Sequence, residues 1–356
     1  MLAAMSKVRL RDVAAAAGVS QGTASNVYNR PDIVRPALRE RVLEAADRLG
    51  FAGPAPTARA LRQGRANLIA VVSDESLGYM LADPYGRRLL GGVATVCDAQ
   101  GVGLTVASTH GTGGATGQGW SIDTALVDGF ILYCYEDDAE VAERARARNL
   151  PMVAIDVGRM AGVASIGIDE RMAARAAAAH VATLGHRRVG ILSLELSGDG
   201  RTGPVGRDRI AAARFGGTRD RLDGYLTALA AAGLGEDAIA VHETLNDGPT
   251  TRTALETMAA GPAPPTAILA MSDVMALHAM DWLAARGLRV PGDVSVVGFD
   301  DTPEGAQASP PLTTLAQPAE MKGRIAAEML LGLRPMGDHV LPTALTVRGS
   351  TAAPRG

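Results

Sequence analysis

From residue 68 onward, short apolar runs alternate with longer stretches in which apolar residues recur at helical spacing. LIAVVS (68–73), VGLTVAS (102–108), DGFILYC (128–134) and PMVAI (151–155) have strand length and strand composition. RRVGILS (187–193), TAILAM (266–271) and DVSVVGF (293–299) repeat the pattern. Between these runs, residues 87–100, 137–149, 172–184, 222–232 and 273–286 read as amphipathic helices. Strands that are apolar throughout are buried on both faces, and strand–helix alternation gives parallel sheets covered by helices on both faces. So many strands over about 280 residues suit two doubly wound α/β subdomains better than one, with ligand groups at the carboxyl ends of strands.

The start of the chain follows a different pattern. In LRDVAAAAGVSQGTASNVYN (10–29), residues 12–17 form a short alanine-rich helix whose small side chains permit close packing. Gly18 supplies a turn, Val19 plugs the angle between helices, and Ser20 caps a second helix. With residues placed about 100° apart on that helix, Gln21, Gly22, Ser25, Asn26 and Asn29 share one arc, opposite Ala24 and Val27. One face packs while the other is polar and uncharged. A helix in a DNA major groove needs such a face, with amides and hydroxyls for base edges and no carboxylate to repel phosphate.

Charge sharpens the division. The net charge of −3 splits into eleven Lys/Arg against five Asp/Glu over residues 1–65 (+6) and 24 against 33 over the remainder (−9). A basic head on an acidic body predicts that only the head meets a polyanion. Hydrophobic residues at 47 % and charged residues at 21 % exclude a disordered chain. No apolar run approaches membrane-spanning length, and MLAAMSKVRLRD is unlike a secretory leader, so the expected compartment is the cytoplasm, with no membrane contact. Cys97 and Cys134 read as buried thiols.

Catalytic chemistry is not legible. There is no phosphate-binding or dinucleotide fingerprint, no G-x-S-x-G and no paired His/Cys metal spacing, so neither cofactor, metal nor catalytic residue is expected. HGTGGATGQG (110–119) reads as a flexible loop and His186 as a loop residue before a strand. The stretch 194–221 holds six arginines, from Arg201 to Arg221. It reads either as a solvated surface excursion or as an anion-binding flap.

The head residues resemble those of the lac-repressor (LacI/GalR) family, whose heads share the pattern D-V-A-x-x-A-G-V-S-x-x-T-x-S-x-V-x-N. Its eleven fixed positions are matched by Asp12, Val13, Ala14, Ala17, Gly18, Val19, Ser20, Thr23, Ser25, Val27 and Asn29. The resemblance implies base reading by Gln21, Gly22 and Asn26. Because Gly22 has no side chain, Gln21 and Asn26 must carry the direct readout. Backbone contacts are implied for Ser20, Thr23, Ser25, Asn29 and Arg35. A hinge helix over 58–61 is implied, inserting Leu61 into the minor groove with Arg59 nearby, although Gly53, Pro54 and Pro56 depart from the family pattern and leave a plain linker as the other reading.

The likeness continues through ASIGIDERMAARAAAAHVATLGHRRVGIL, TAILAMSDVMALHAMDWLAARGLRVPGDVSVVGFDDT and PPLTTLAQP. It implies a periplasmic-binding-protein-like core with effector contacts at Asp74, Asp156, Arg221, Ser272 and Asp300. Tyr133 and Tyr135 supply either a stacking wall or core packing. The expected layout is a head and hinge at 1–65 and an effector-binding and dimerisation core at 66–350. Its interleaved subdomains are expected at roughly 66–168 with 319–334, and 169–318 with 335–350. The implied function is an allosteric, homodimeric repressor that binds double-stranded operator DNA and a small polar effector (a sugar or sugar-like acid). A solute sensor without operator binding is the alternative. No heptad repeat follows Val347, which argues against a tetramer.

Overall fold

The computed structural model describes residues 8–53, 64–110, 122–136, 140–158 and 160–355. It divides into two compact units, Met1–Asn67 and Leu68–Gly356, considered separately below. The expected hinge helix with Arg59 and Leu61, and nearly all of the glycine-rich loop, lie outside the described residues.

The first unit is a three-helix cluster of α1 (Leu10–Ala16), α2 (Gln21–Asn29) and α3 (Pro36–Leu49). Asp12 accepts from the Arg9 backbone N–H at 2.9 Å and so fastens the start of α1. Gly18 takes φ +64°, a left-handed conformation that costs glycine little. The small core is Val13, Ala14, Ala17, Ala24, Val27, Val42, Ala45 and Ala46, closed at its edge by Tyr28 set edge-on to Phe51.

The second unit opens with β1 (Leu68–Ser73), α4 (Leu77–Ala82), α5 (Pro84–Gln100), β2 (Gly103–Ser108) and β3 (Gly129–Tyr133). Then follow α6 (Glu140–Arg146), β4 (Met152–Ile155), β5 (Ala164–Ile168), α7 (Glu170–Thr183), β6 (Val189–Ser193) and β7 (Gly203–Pro204). Next come α8 (Arg207–Ala211), α9 (Gly216–Ala231), β8 (Ile239–Glu243), α10 (Gly248–Ala260), β9 (Ala267–Ala270) and α11 (Asp273–Ala284). The chain finishes with β10 (Ser295–Asp300), α12 (Pro303–Gln307), β11 (Thr313–Ala316), α13 (Ala319–Leu330), β12 (His339–Leu341) and β13 (Leu345–Thr346).

Two sheets result, ordered β12-β5-β4-β3-β1-β2 and β13-β11-β10-β9-β6-β8-β7. Their central pairings are parallel, as apolar strands buried on both faces require. Paired helices cover each sheet, and glycines let them approach closely. A methyl group on Gly92 of α5 would collide with the Glu320 carbonyl of α13, and one on Gly224 of α9 with the Arg171 carbonyl of α7.

Two expectations need correction. Residues 335–350 do not all return to the second subdomain. β12 pairs in parallel with β5 (His339↔Ile166 to Leu341↔Ile168), so the chain changes sheets between Leu341 and Leu345. The helix expected over 222–232 begins six residues earlier, at Gly216. Gly216 and Gly217 are poor helix formers, and tertiary packing overrides their weak propensity.

Candidate functional site

In the first unit, α2 is pinned from behind by buried Ala24 and Val27, which turns its polar face outward. The Ser20 hydroxyl caps the helix, accepting from the Thr23 N–H at 3.1 Å and bonding the Thr23 hydroxyl at 2.9 Å. Gln21 and Gly22 are exposed and Asn26 is half-buried, all without a charged neighbour on the helix. Asn29 turns its amide back to the Ser25 carbonyl (2.7 Å) and hydroxyl (3.0 Å), bracing the end of the helix. Arg35 stands exposed where α3 begins at Pro36.

In the second unit a cavity of about 430 Å³ lies where the carboxyl ends of both sheets face each other. Asp74, Tyr133, Asp156, Arg221, Ser272 and Asp300 all line it. So do Tyr135 and Cys134, which is therefore a wall residue and only half-buried. Cys134, Asp156 and Asp300 carry φ of 54°, 53° and 124°. These left-handed conformations, strained for residues other than glycine, turn the chain abruptly at the strand ends and aim the side chains into the cleft.

The environments of these residues differ from what a bare motif suggests. Arg221 is buried and fully engaged, with its Nε donating to Glu170 at 2.7 Å and an Nη to the Met271 carbonyl at 2.7 Å. Its guanidinium lies 3.8 Å over the Phe299 ring. Asp156 accepts from Lys322 Nζ at 2.5 Å and from the Tyr85 hydroxyl. Lys322 is completely buried and also donates to Gln317 Oε1 (2.5 Å) and to the Tyr85 oxygen (2.9 Å). Gln317 in turn donates to Asp300 at 3.0 Å. Burial, and then the nearby Asp273 carboxylate, push the Asp300 carboxyl well above the usual range. Ser272 caps α11 and donates to Asn246 at 2.5 Å, and Asn246 donates to the Tyr79 hydroxyl at 2.6 Å.

The Tyr79–Asn246 bond ties the two subdomains together across the cavity. Further links join them at its rim, among them Arg88, which donates to the Asp301 carbonyl at 3.0 Å. Arg87 pairs with Glu304 at 3.0 Å, and Glu136 takes both Arg214 (2.9 Å) and the Gly198 N–H (2.9 Å). Most arginines of the 194–221 stretch are likewise occupied. Arg209 bridges Asp199 and Glu243 at 2.7 Å each, and Arg207 meets Glu236. An anion-binding flap would need free guanidiniums, so the pairing removes the main support for that reading.

Glu170, Lys322, Gln317, Tyr85, Asn246 and Glu75 escaped the sequence reading. Lys322 alone left a signal, because it interrupts the apolar stripe of α13 at a position flanked by Ala319, Gly323 and Ala326. His186 is more than a loop residue. It is buried and binds Thr266, Ser295 and the Ala352 carbonyl, anchoring the terminal segment. Among the described residues no helix is long and apolar enough to cross a membrane.

Comparison with known proteins gives the following. Residues 9–53 match the model for bacterial regulatory proteins of the lacI family, and residues 178–351 match a periplasmic binding protein-like domain. An HTH-type transcriptional regulator of Mycobacterium tuberculosis is 39 % identical over 353 residues, covering 98 % of both chains. The lac repressor dimer bound to operator and an anti-inducer superposes with a TM-score of 0.73 at 27 % identity, over 98 % of this chain and all of that one. A complex of the regulator CelR with cellobiose gives 0.63 at 29 %, over 96 % and 99 %.

Proposed function

The chain belongs to the lacI family of bacterial regulatory proteins, a helix-turn-helix transcriptional regulator, and on that premise we propose how its residues divide the work. It is a repressor that reads operator bases with Gln21 and Asn26, while Gly22 lets the helix approach the groove floor. Ser20, Thr23, Ser25, Asn29 and Arg35 fix its register on the backbone, and Leu61 with Arg59 enters the minor groove. A small polar effector occupies the cavity among Asp74, Tyr133, Asp156, Arg221, Ser272 and Asp300. The chain works as a cytoplasmic homodimer, placing two heads on a two-fold operator, and catalyses no reaction. Closure of the cleft around the effector changes the subdomain angle and so the spacing of the heads.

The observation that carries this reading is the exposed, polar and uncharged face of α2, held outward by Ala24 and Val27. The test is selection of random DNA fragments by the purified protein at moderate salt. A pseudo-palindrome with adenine opposite Gln21 and Asn26 is expected, since their amides pair bidentately with adenine. If no motif is enriched, with or without candidate effectors, the chain is instead a solute sensor without operator binding.

A further inference from the structure

The cavity wall is strongly acidic. Among the described residues seven carboxylates line it, against one guanidinium, that of Arg221. Most of the carboxylates are already satisfied by the protein. Glu170 holds Arg221, Asp156 holds Lys322, Asp300 accepts from Gln317, and Asp83 caps α5 by accepting the Gly86 N–H at 2.8 Å. Asp74 accepts the Thr109 hydroxyl at 3.1 Å.

Glu75 and Glu195 are different. Glu75 follows β1 in the first subdomain and Glu195 follows β6 in the second, so they belong to opposite walls. Among the described residues no side chain hydrogen-bonds the Glu75 carboxylate, although the His110 ring in the same lining attracts it, and Glu195 accepts the Gly200 N–H at 3.1 Å with no side-chain hydrogen bond of its own. They lie close enough to repel one another, and burial with that repulsion pushes Glu75 up to about 7.

Two further features bear on what this pair meets. Five of the chain's twelve aromatic residues, Tyr79, Tyr85, Tyr133, Tyr135 and Phe215, line the same cavity. Ring faces attract cations through their quadrupole. Thr218, only 6 % exposed, also lines it, and its hydroxyl has no hydrogen-bond partner among the described residues. Thr218 sits in the first turn of α9 beside Gly216 and Gly217, where Phe215 provides no side-chain cap and backbone N–H groups stand free for an acceptor.

Taking the cavity as the effector site, as proposed above, we infer that its ligand carries an ammonium group set between Glu75 and Glu195, and an oxygen acceptor directed to Thr218. An amino-substituted polyol fits both ends, whereas an acid does not. The start of α9 contributes about half an elementary charge, which the seven carboxyl groups of the lining, Glu75 and Glu195 among them, outweigh. Because the two glutamates sit on opposite subdomains, one ammonium group relieves their repulsion and draws the cleft shut.

A matched set of probes isolates the charge: choline, its neutral isostere 3,3-dimethylbutan-1-ol, and 3,3-dimethylbutanoate, nearly equal in shape but +1, 0 and −1. Each is titrated into the full-length protein by calorimetry at constant ionic strength. Choline should bind saturably and about tenfold or more tighter than the alcohol, the range of a desolvated cation beside rings and carboxylates. The acid should not bind. In the Glu75→Gln/Glu195→Gln double variant the preference for choline should vanish while the melting temperature and operator binding stay measurable, showing that the fold persists. Equal binding of alcohol and choline, binding of the acid, no saturation by choline, or an unchanged preference in the double variant overturns the inference. Operator selection is read separately, so a protein that selects an operator but ignores choline refutes the ligand class alone.

Discussion

Replacing Lys322 with methionine tests how the cavity floor is held. Methionine keeps most of the length and apolar bulk of the stem, so the packing of α13 survives while the charge is lost. What disappears is the Nζ, with its bonds to Asp156 (2.5 Å), Gln317 (2.5 Å) and Tyr85 (2.9 Å) and its position 5.4 Å over the Tyr85 ring. Removing one partner of a buried ion pair costs about 3–5 kcal/mol, chiefly because the other charge is stranded. The Asp156 side chain retains 12 % exposure toward the cavity and keeps the Tyr85 hydroxyl as a donor, so the lower end, about 3 kcal/mol, is expected. Urea unfolding followed by circular dichroism measures this loss. The double variant Lys322→Met/Asp156→Asn removes the stranded charge and should recover at least about 1 kcal/mol relative to the sum of the single changes. A loss below about 1 kcal/mol for Lys322→Met, or strict additivity in the double variant, would refute the view that this pair organises the site.

Glu75 predicts a pH dependence of stability. Its carboxyl releases its proton near 4.5 when unfolded but is pushed up to about 7 in the fold by burial and Glu195. The native state therefore binds more protons between those values, and stability falls as pH rises through that window by at most about 3 kcal/mol, less where solvent screens the group. Glu75→Gln should flatten the slope in melting experiments from pH 4.5 to 8, and an unchanged slope would assign it to other groups. Gly92→Ala sets a methyl group against the Glu320 carbonyl. It should destabilise by about 1–3 kcal/mol in urea, and a neutral result would mean that α5 and α13 separate at little cost. In the head, Asn26→Ala should lose about 1–3 kcal/mol of discrimination at one base pair per half-site, read by binding to operator and point-mutated DNA, whereas Arg35→Ala should weaken all sequences alike. Equal effects on specific and non-specific DNA would remove Asn26 from base reading.

Local rules made much of this protein legible. Apolar runs of strand length separated by helical stripes establish two parallel α/β layers, because a strand buried on both faces has to be apolar throughout. The head could be read almost residue by residue. Gly18, Ser20, Ala24 and Val27 act within a few positions of themselves, through a turn, a cap and a packing face, and such local chemistry is written in order along the chain. Asp74, Tyr133, Asp156, Ser272 and Asp300 sit at or just after strand ends, where the fold class alone places ligand groups, whereas Arg221 stands inside α9.

Only the tertiary structure decided what surrounds them. Glu170 meets Arg221 from 51 positions away and Lys322 meets Asp156 from 166 away, and no periodicity encodes such pairings. The short strand β12 has a burial pattern no different from a loop's, so its return to the first sheet rests on the backbone bonds offered by β5. Residue types and local spacing thus determine which elements form and where a site can lie. The charge state of that site, and so the ligand it admits, depends on which distant side chains burial forces together, because an ion removed from water takes its partner from whatever the fold brings near.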